Sequence, residues 1–182
     1  MKTFRPHGWL IAVAMALMVN VIGQAGCAKS TVVNSPYPET QFAALQATVN
    51  AASAASTALS GNVFADWEKG RPDLGQAITG LNATFGPDGF DNAVKRAADA
   101  WPGLETAADL PHARTAYLKV SDNLAQVLLA ARKNDPRLDK IVVYYCPMTA
   151  DPANARWLQS SAPLKNPFWG PEMADCGSEV KP

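Results

Sequence analysis

The feature that most constrains this chain is a run of apolar residues at helical spacing between Pro111 and Lys133. Ala113, Tyr117, Val120, Leu124, Val127, Leu128 and Ala131 recur close to every 3.6 residues. Such a stripe buries only against other elements. Asp109 before it suits an N-cap, and Pro111 suits a first turn. Asn134-Asp135-Pro136 ends it.

Three weaker helical patterns precede it. Glu39 to Ser60 is alanine-rich, with Phe42, Leu45, Val49, Ala52 and Leu59 at helical spacing. Asp73 to Phe85 carries Leu74, Ile78, Leu81 and Phe85 on one face. Gly70-Arg71-Pro72 is expected to break the chain before it. Asp91 to Ala108 places Val94, Ala97, Ala98 and Trp101 inward, and Pro102 is expected to kink or split it. Gly86-Pro87-Asp88-Gly89 is a turn by composition. Short connections between helices favour antiparallel neighbours. The fold class expected is therefore all-α, a small antiparallel helical bundle spanning 39–178 whose last part is irregular and proline-rich. Within that part, 140–145 is rich in β-branched and aromatic residues, as a short strand or an extended segment. About Pro152 to Gln159 is the only further stretch with room for a helix.

The start of the chain reads as an address. Lys2 and Arg5 precede an almost wholly apolar run from Leu10 to Ile22. That run is shorter than the roughly 20 residues a spanning helix needs, and it matches a secretory signal. Gln24-Ala25-Gly26-Cys27 resembles the lipobox of bacterial lipoproteins, with Gln24 where Leu is usual. The resemblance implies a signal over 1–26, a lipidated Cys27 as the anchor to the membrane, and a tether over 27–38. Ala28 after the lipid site implies sorting to the outer membrane, facing the periplasm. The alternative is an ordinary signal cleaved near Ala28.

Charge excludes one class of partner. Sixteen Lys+Arg balance sixteen Asp+Glu without a basic cluster, so no nucleic acid is expected. Enzymatic chemistry also finds little footing. No pair of carboxylates suggests acid–base work, Ser160-Ser161 lacks a base, and no glycine-rich phosphate loop occurs. His112 reads as a surface residue at a helix start. The chain is not expected to be an enzyme.

The chemistry-bearing residues are sulfurs near the C-terminus. Cys146-x-Met148 and Met173-x-x-Cys176 run in opposite order. A segment folded back on itself would bring all four together as a soft ligand set that selects Cu(I) or Ag(I). Methionine does not titrate, so it ligates at any pH. The competing reading is a Cys146–Cys176 disulfide, natural in an oxidising compartment. It would stabilise a poorly ordered tail by roughly 3–4 kcal/mol, with Met148 and Met173 as packing residues. Both readings stand, and a redox-dependent alternation reconciles them.

Five elements then occur in order: Tyr145-Cys146-Pro147-Met148, Trp157-Leu158-Gln159, Asn166-Pro167-Phe168-Trp169-Gly170, Met173, and Cys176-Gly177. Together they resemble a domain of unknown function found in exported bacterial proteins and appended to periplasmic adaptor subunits of heavy-metal efflux systems. Arg114, Tyr117 and Ser121 suit that family's preceding helix, and the resemblance covers about residues 110–177. It implies copper or other heavy-metal handling in the periplasm, a site at Cys146, Met148, Met173 and Cys176, and an efflux adaptor or copper-handling protein as partner.

Overall fold

The computed structural model describes residues 36–160 and 163–181. The signal over 1–26, the lipid site at Cys27 and most of the tether lie outside the described residues. Four helices come first: α1 (Glu39–Ser60), α2 (Phe64–Phe85), α3 (Ala93–Glu105) and α4 (Leu110–Arg132). Three short strands follow: β1 (Val142–Tyr145), β2 (Arg156–Gln159) and β3 (Ser178–Glu179). The chain is mostly helical, as the apolar spacing indicated. The addition is the sheet, which organises the C-terminal part expected to be irregular.

Each helix packs on its chain neighbour, and α1 closes the set by packing on α4. The common core holds Leu45, Val49 and Leu59 from α1, Trp67 and Leu74 from α2, Val94 from α3, and Tyr117, Leu124 and Leu128 from α4. α4 begins as its sequence directs. Asp109 accepts from the His112 amide at 2.9 Å, and proline occupies the first turn. That bond, the largest influence, and the His112 side chain hold the Asp109 carboxyl below its ordinary range.

Pro72 was expected to break the chain and Pro102 to kink or split its helix, and both lie inside continuous helices. Pro72 lies inside α2, on its exposed side. Trp67 before it and Leu74 after it are both fully buried. Two such burials, at about 1.5–3 kcal/mol each, offset a penalty of about 3 kcal/mol. Pro102 sits near the end of α3, which ends at Glu105. Few backbone bonds remain there for it to disrupt.

α3 starts after an unusual connection. Phe90, Asp91 and Asn92 have φ of 54°, 54° and 62°. Asp and Asn tolerate this region, but phenylalanine is strained in it. Phe90 is held by packing at 4.9 Å on the Phe85 ring, in a cluster that includes Tyr37. Arg96 Nη1 donates to the Asp91 carbonyl at 2.7 Å.

The sheet is antiparallel with order β2-β1-β3. Tyr145 faces Arg156 on one side and Ser178 on the other. Where a helix had seemed possible, Pro152–Asn154 form one 3-10 turn and 156–159 are extended. Tertiary packing decides this, because β2 lies against α1 and α4. A polar bond fixes the contact: Arg156 Nε donates to Asp122 Oδ1 at 2.6 Å and Nη2 to Oδ2 at 3.1 Å. Asp122 is 1% exposed and takes a third bond from Gln126.

Replacing Arg156 with Met should therefore strand a buried carboxylate. The expected loss is about 2–3 kcal/mol in urea unfolding, below the value for a wholly buried pair because Arg156 is partly exposed. A loss under about 0.5 kcal/mol would show that the pair contributes nothing net.

Candidate functional site

The sheet brings the two distal cysteines together. Cys146 follows β1, and its amide continues the ladder by donating to the Ala155 carbonyl at 3.1 Å. Cys176 precedes β3, which lies on the other edge of β1. The two Sγ atoms are 3.5 Å apart, and both are free thiols. Cys146 is fully buried and Cys176 half-buried. The opposed order of the two half-motifs is what an antiparallel return requires.

The methionines differ in placement. Met173 shares a turn with Cys176, whose amide donates to the Met173 carbonyl at 3.1 Å. Its side chain is half-buried. Met148, two residues past Cys146, is 57% exposed and outside the packed core.

Residues flanking the two thiols, Tyr144 and Gly177, pack on Trp157. This side chain is fully buried, stacks on Tyr144 at 5.5 Å, and meets Phe168 edge-on at 5.5 Å. Its indole N–H donates to Gln159 Oε1 at 3.3 Å. Gln159 also binds the Lys165 amide and the Pro163 carbonyl, so it braces the loop that follows β2. Gly177 passes close to the indole. Its φ is +151°, and a Cβ there would lie 2.7 Å from the Trp157 ring. A side chain at 177 would thus push the neighbouring Cys176 away from Cys146.

Asn166 locks the other side and is fully buried. Its Oδ1 accepts from the Phe168 amide at 2.8 Å, the side-chain turn that an Asn-Pro pair favours. Its Nδ2 donates to the Cys176 carbonyl at 2.7 Å. Arg114 reaches in from α4, with Nε donating to the Leu59 carbonyl at 2.9 Å and Nη2 to the Gly61 carbonyl at 2.6 Å. It thereby caps the end of α1 with a cation. Tyr117 donates to the Ala52 carbonyl at 3.0 Å and lies 3.1 Å from Ser56 Oγ, and burial pushes its hydroxyl far above its ordinary range. Sequence motifs included Asn166, Gln159, Arg114 and Tyr117 without revealing these bracing roles. A polar residue among aromatic residues was the only signal. His112 is solvent-exposed and pairs with Asp109, as a surface histidine would.

What the pair can do follows from its surroundings. Burial, above all, pushes the Cys176 thiol up. The hydrogen bond and charge of Cys146 and the charge of Asp175 add to the shift. The protonated form therefore dominates at neutral pH. Two sulfurs on one ion, with bonds of about 2.3 Å, must lie within roughly 4.6 Å of each other, which 3.5 Å satisfies. The same proximity lets a thiolate reach its partner for oxidation, after modest closure. Among the described residues no group of three or more His, Cys, Asp or Glu is placed to hold a metal ion. Comparison with family models, with curated proteins and with solved structures finds no match to this chain.

Two outcomes are expected. Peptide-resolved alkylation with iodoacetamide should give Cys176 a half-maximal pH above that of the urea-unfolded chain; an equal or lower value would contradict the burial argument. Because folding favours the neutral thiol, this group's contribution to stability is full below the ordinary thiol range and is lost as pH rises through the higher folded value. Gly177→Ala should cost about 2 kcal/mol in thermal unfolding and slow disulfide formation by diamide, while unchanged values would mean Trp157 yields freely.

Proposed function

We propose that this chain is an exported, lipid-anchored protein that binds a soft monovalent metal ion, Cu(I) or Ag(I), through sulfur, and that it sequesters the ion or delivers it to an efflux partner. The carrying observation is the approach of Cys146 and Cys176 Sγ to 3.5 Å. Met173 lies in the same turn as Cys176 and places a thioether three residues before it in the chain. Met148, exposed beside Cys146, suits a ligand through which an ion is handed on.

Softness selects the metal. Thiolate and thioether sulfur favour Cu(I) over hard cations. The motif's resemblance to the domain appended to heavy-metal efflux adaptors points the same way, and with the signal and the lipobox it supports an anchored location in the bacterial envelope. No described helix is long and apolar enough to cross a membrane; anchoring in this reading rests on Cys27. The chain's residues supply a shielded pair of sulfurs and release protons as the ion enters, so affinity falls as pH falls. No bond-making step is proposed.

One observation favours a second reading. Cys146 is wholly buried, and its partner lies thirty residues along the chain. A disulfide there would staple the two turns and leave an interaction module of an envelope system with no metal.

Cu(I) titration of the reduced protein against a competing chelator separates the two. The metal reading expects one tightly bound equivalent, lost in Cys146→Ser/Cys176→Ser and weakened in Met148→Leu/Met173→Leu, changes that conserve volume. Weak, non-stoichiometric binding would overturn it. A chain then found oxidised in the envelope, and destabilised by about 3–4 kcal/mol in Cys146→Ser/Cys176→Ser, would establish the staple.

A further inference from the structure

We propose that the small cavity between the loop at Thr149 and the loop at Trp169 is a binding site for a carboxylate group that carries an apolar substituent. This inference uses neither cysteine and stands apart from the metal reading.

The cavity measures about 160 Å³. Its walls include Arg114, Leu118, Thr149, Phe168 and Trp169. Arg114 supplies a fixed positive charge. Two of its nitrogens are tied to main-chain carbonyls of the α1 terminus, and it forms no ion pair among the described residues. Glu172 acts on it only through its charge at a distance. A guanidinium held in this way, with its remaining edge unclaimed, pairs most naturally with a carboxylate. The apolar walls from Leu118 and Phe168 strengthen such a pair by excluding water.

A second observation points to a ligand. The Thr149 hydroxyl is more than nine-tenths buried and has no hydrogen-bond partner. Leaving a buried hydroxyl unpaired is unfavourable, and Thr149 is part of the wall of this cavity. The rim supplies the apolar contact. Trp169, which lines the cavity, is 40% exposed. An exposed tryptophan beside a partly buried arginine is the composition of a recognition surface. Phosphate is a poorer fit, because only one cation and no helix N-terminus line the cavity.

The chemistry is shared by a small free acid and by the C-terminal carboxylate of a peptide. N-acetyl-leucine, N-acetyl-leucinamide and a pentapeptide ending in leucine with a free carboxylate would be titrated into the protein. Binding would be followed by NMR at the Thr149 amide and the Leu118 methyl groups. The expected result is saturable binding of N-acetyl-leucine in the millimolar range, with the uncharged amide about tenfold weaker. Tighter binding of the pentapeptide assigns a chain end as the source, and equal binding assigns a small acid. Thr149→Val and Trp169→Ala, neither of which removes a hydrogen bond of the fold, should each weaken binding several-fold. Binding of the amide as tight as that of the acid, stronger binding of inorganic phosphate, an absence of saturation, or binding unaltered in both variants would each overturn the proposal.

Discussion

The C-terminal half depends on how the Trp157 indole is enclosed. A ring this large buried at a sheet–helix junction contributes several kcal/mol from its area alone. It also dictates what surrounds it. Tyr144 stacks on one face, Phe168 meets it edge-on, and Gly177 passes where a side chain has no room. Gln159 satisfies its N–H. The segments that carry Cys146 and Cys176 are the ones drawn in by these contacts. Their meeting is thus a result of packing around tryptophan, and needs no bond between the sulfurs.

Around that centre, polar residues substitute for regular structure. Asn166 binds the backbone of the turns at 168, 174 and 176. Arg156 joins β2 to Asp122 on α4. Arg137 links Glu39 at the start of α1 to the buried Asp135 and lies 3.7 Å over the Phe42 ring. Asp122 and Asp135, both buried, are paired in this way. A proline-rich stretch can be well defined in this way, although its backbone makes few ladder bonds.

Much of the helical part was legible in the sequence. The spacing from Ala113 to Ala131, with Asp109 and Pro111 ahead of it, marked α4 within a residue or two. Glu39 and Ser60 bounded α1 as written. Local rules failed where burial overruled them. Pro72 reads as a breaker, yet Trp67 and Leu74 hold both sides of it against the core. The stretch at 152–159 has room for a helix, yet its second half, 156–159, pairs with β1 as a strand. For the site, the opposed cysteine motifs foretold an approach of the two thiols. The bracing by Asn166, Gln159 and Arg114 was hidden, since it joins residues far apart in sequence through the backbone of loops.

The order of the sheet carries one more consequence. β1 is central, β2 packs on two helices, and β3 forms the other edge of the described sheet. That strand is two residues long and exposed. Val180 then donates to the Val143 carbonyl, and Lys181 follows at the surface. An edge this short, ending beside a charged residue, offers a neighbouring chain almost no ladder to extend. Among the described residues, the β3 side of the sheet is therefore a poor template for pairing with a second copy.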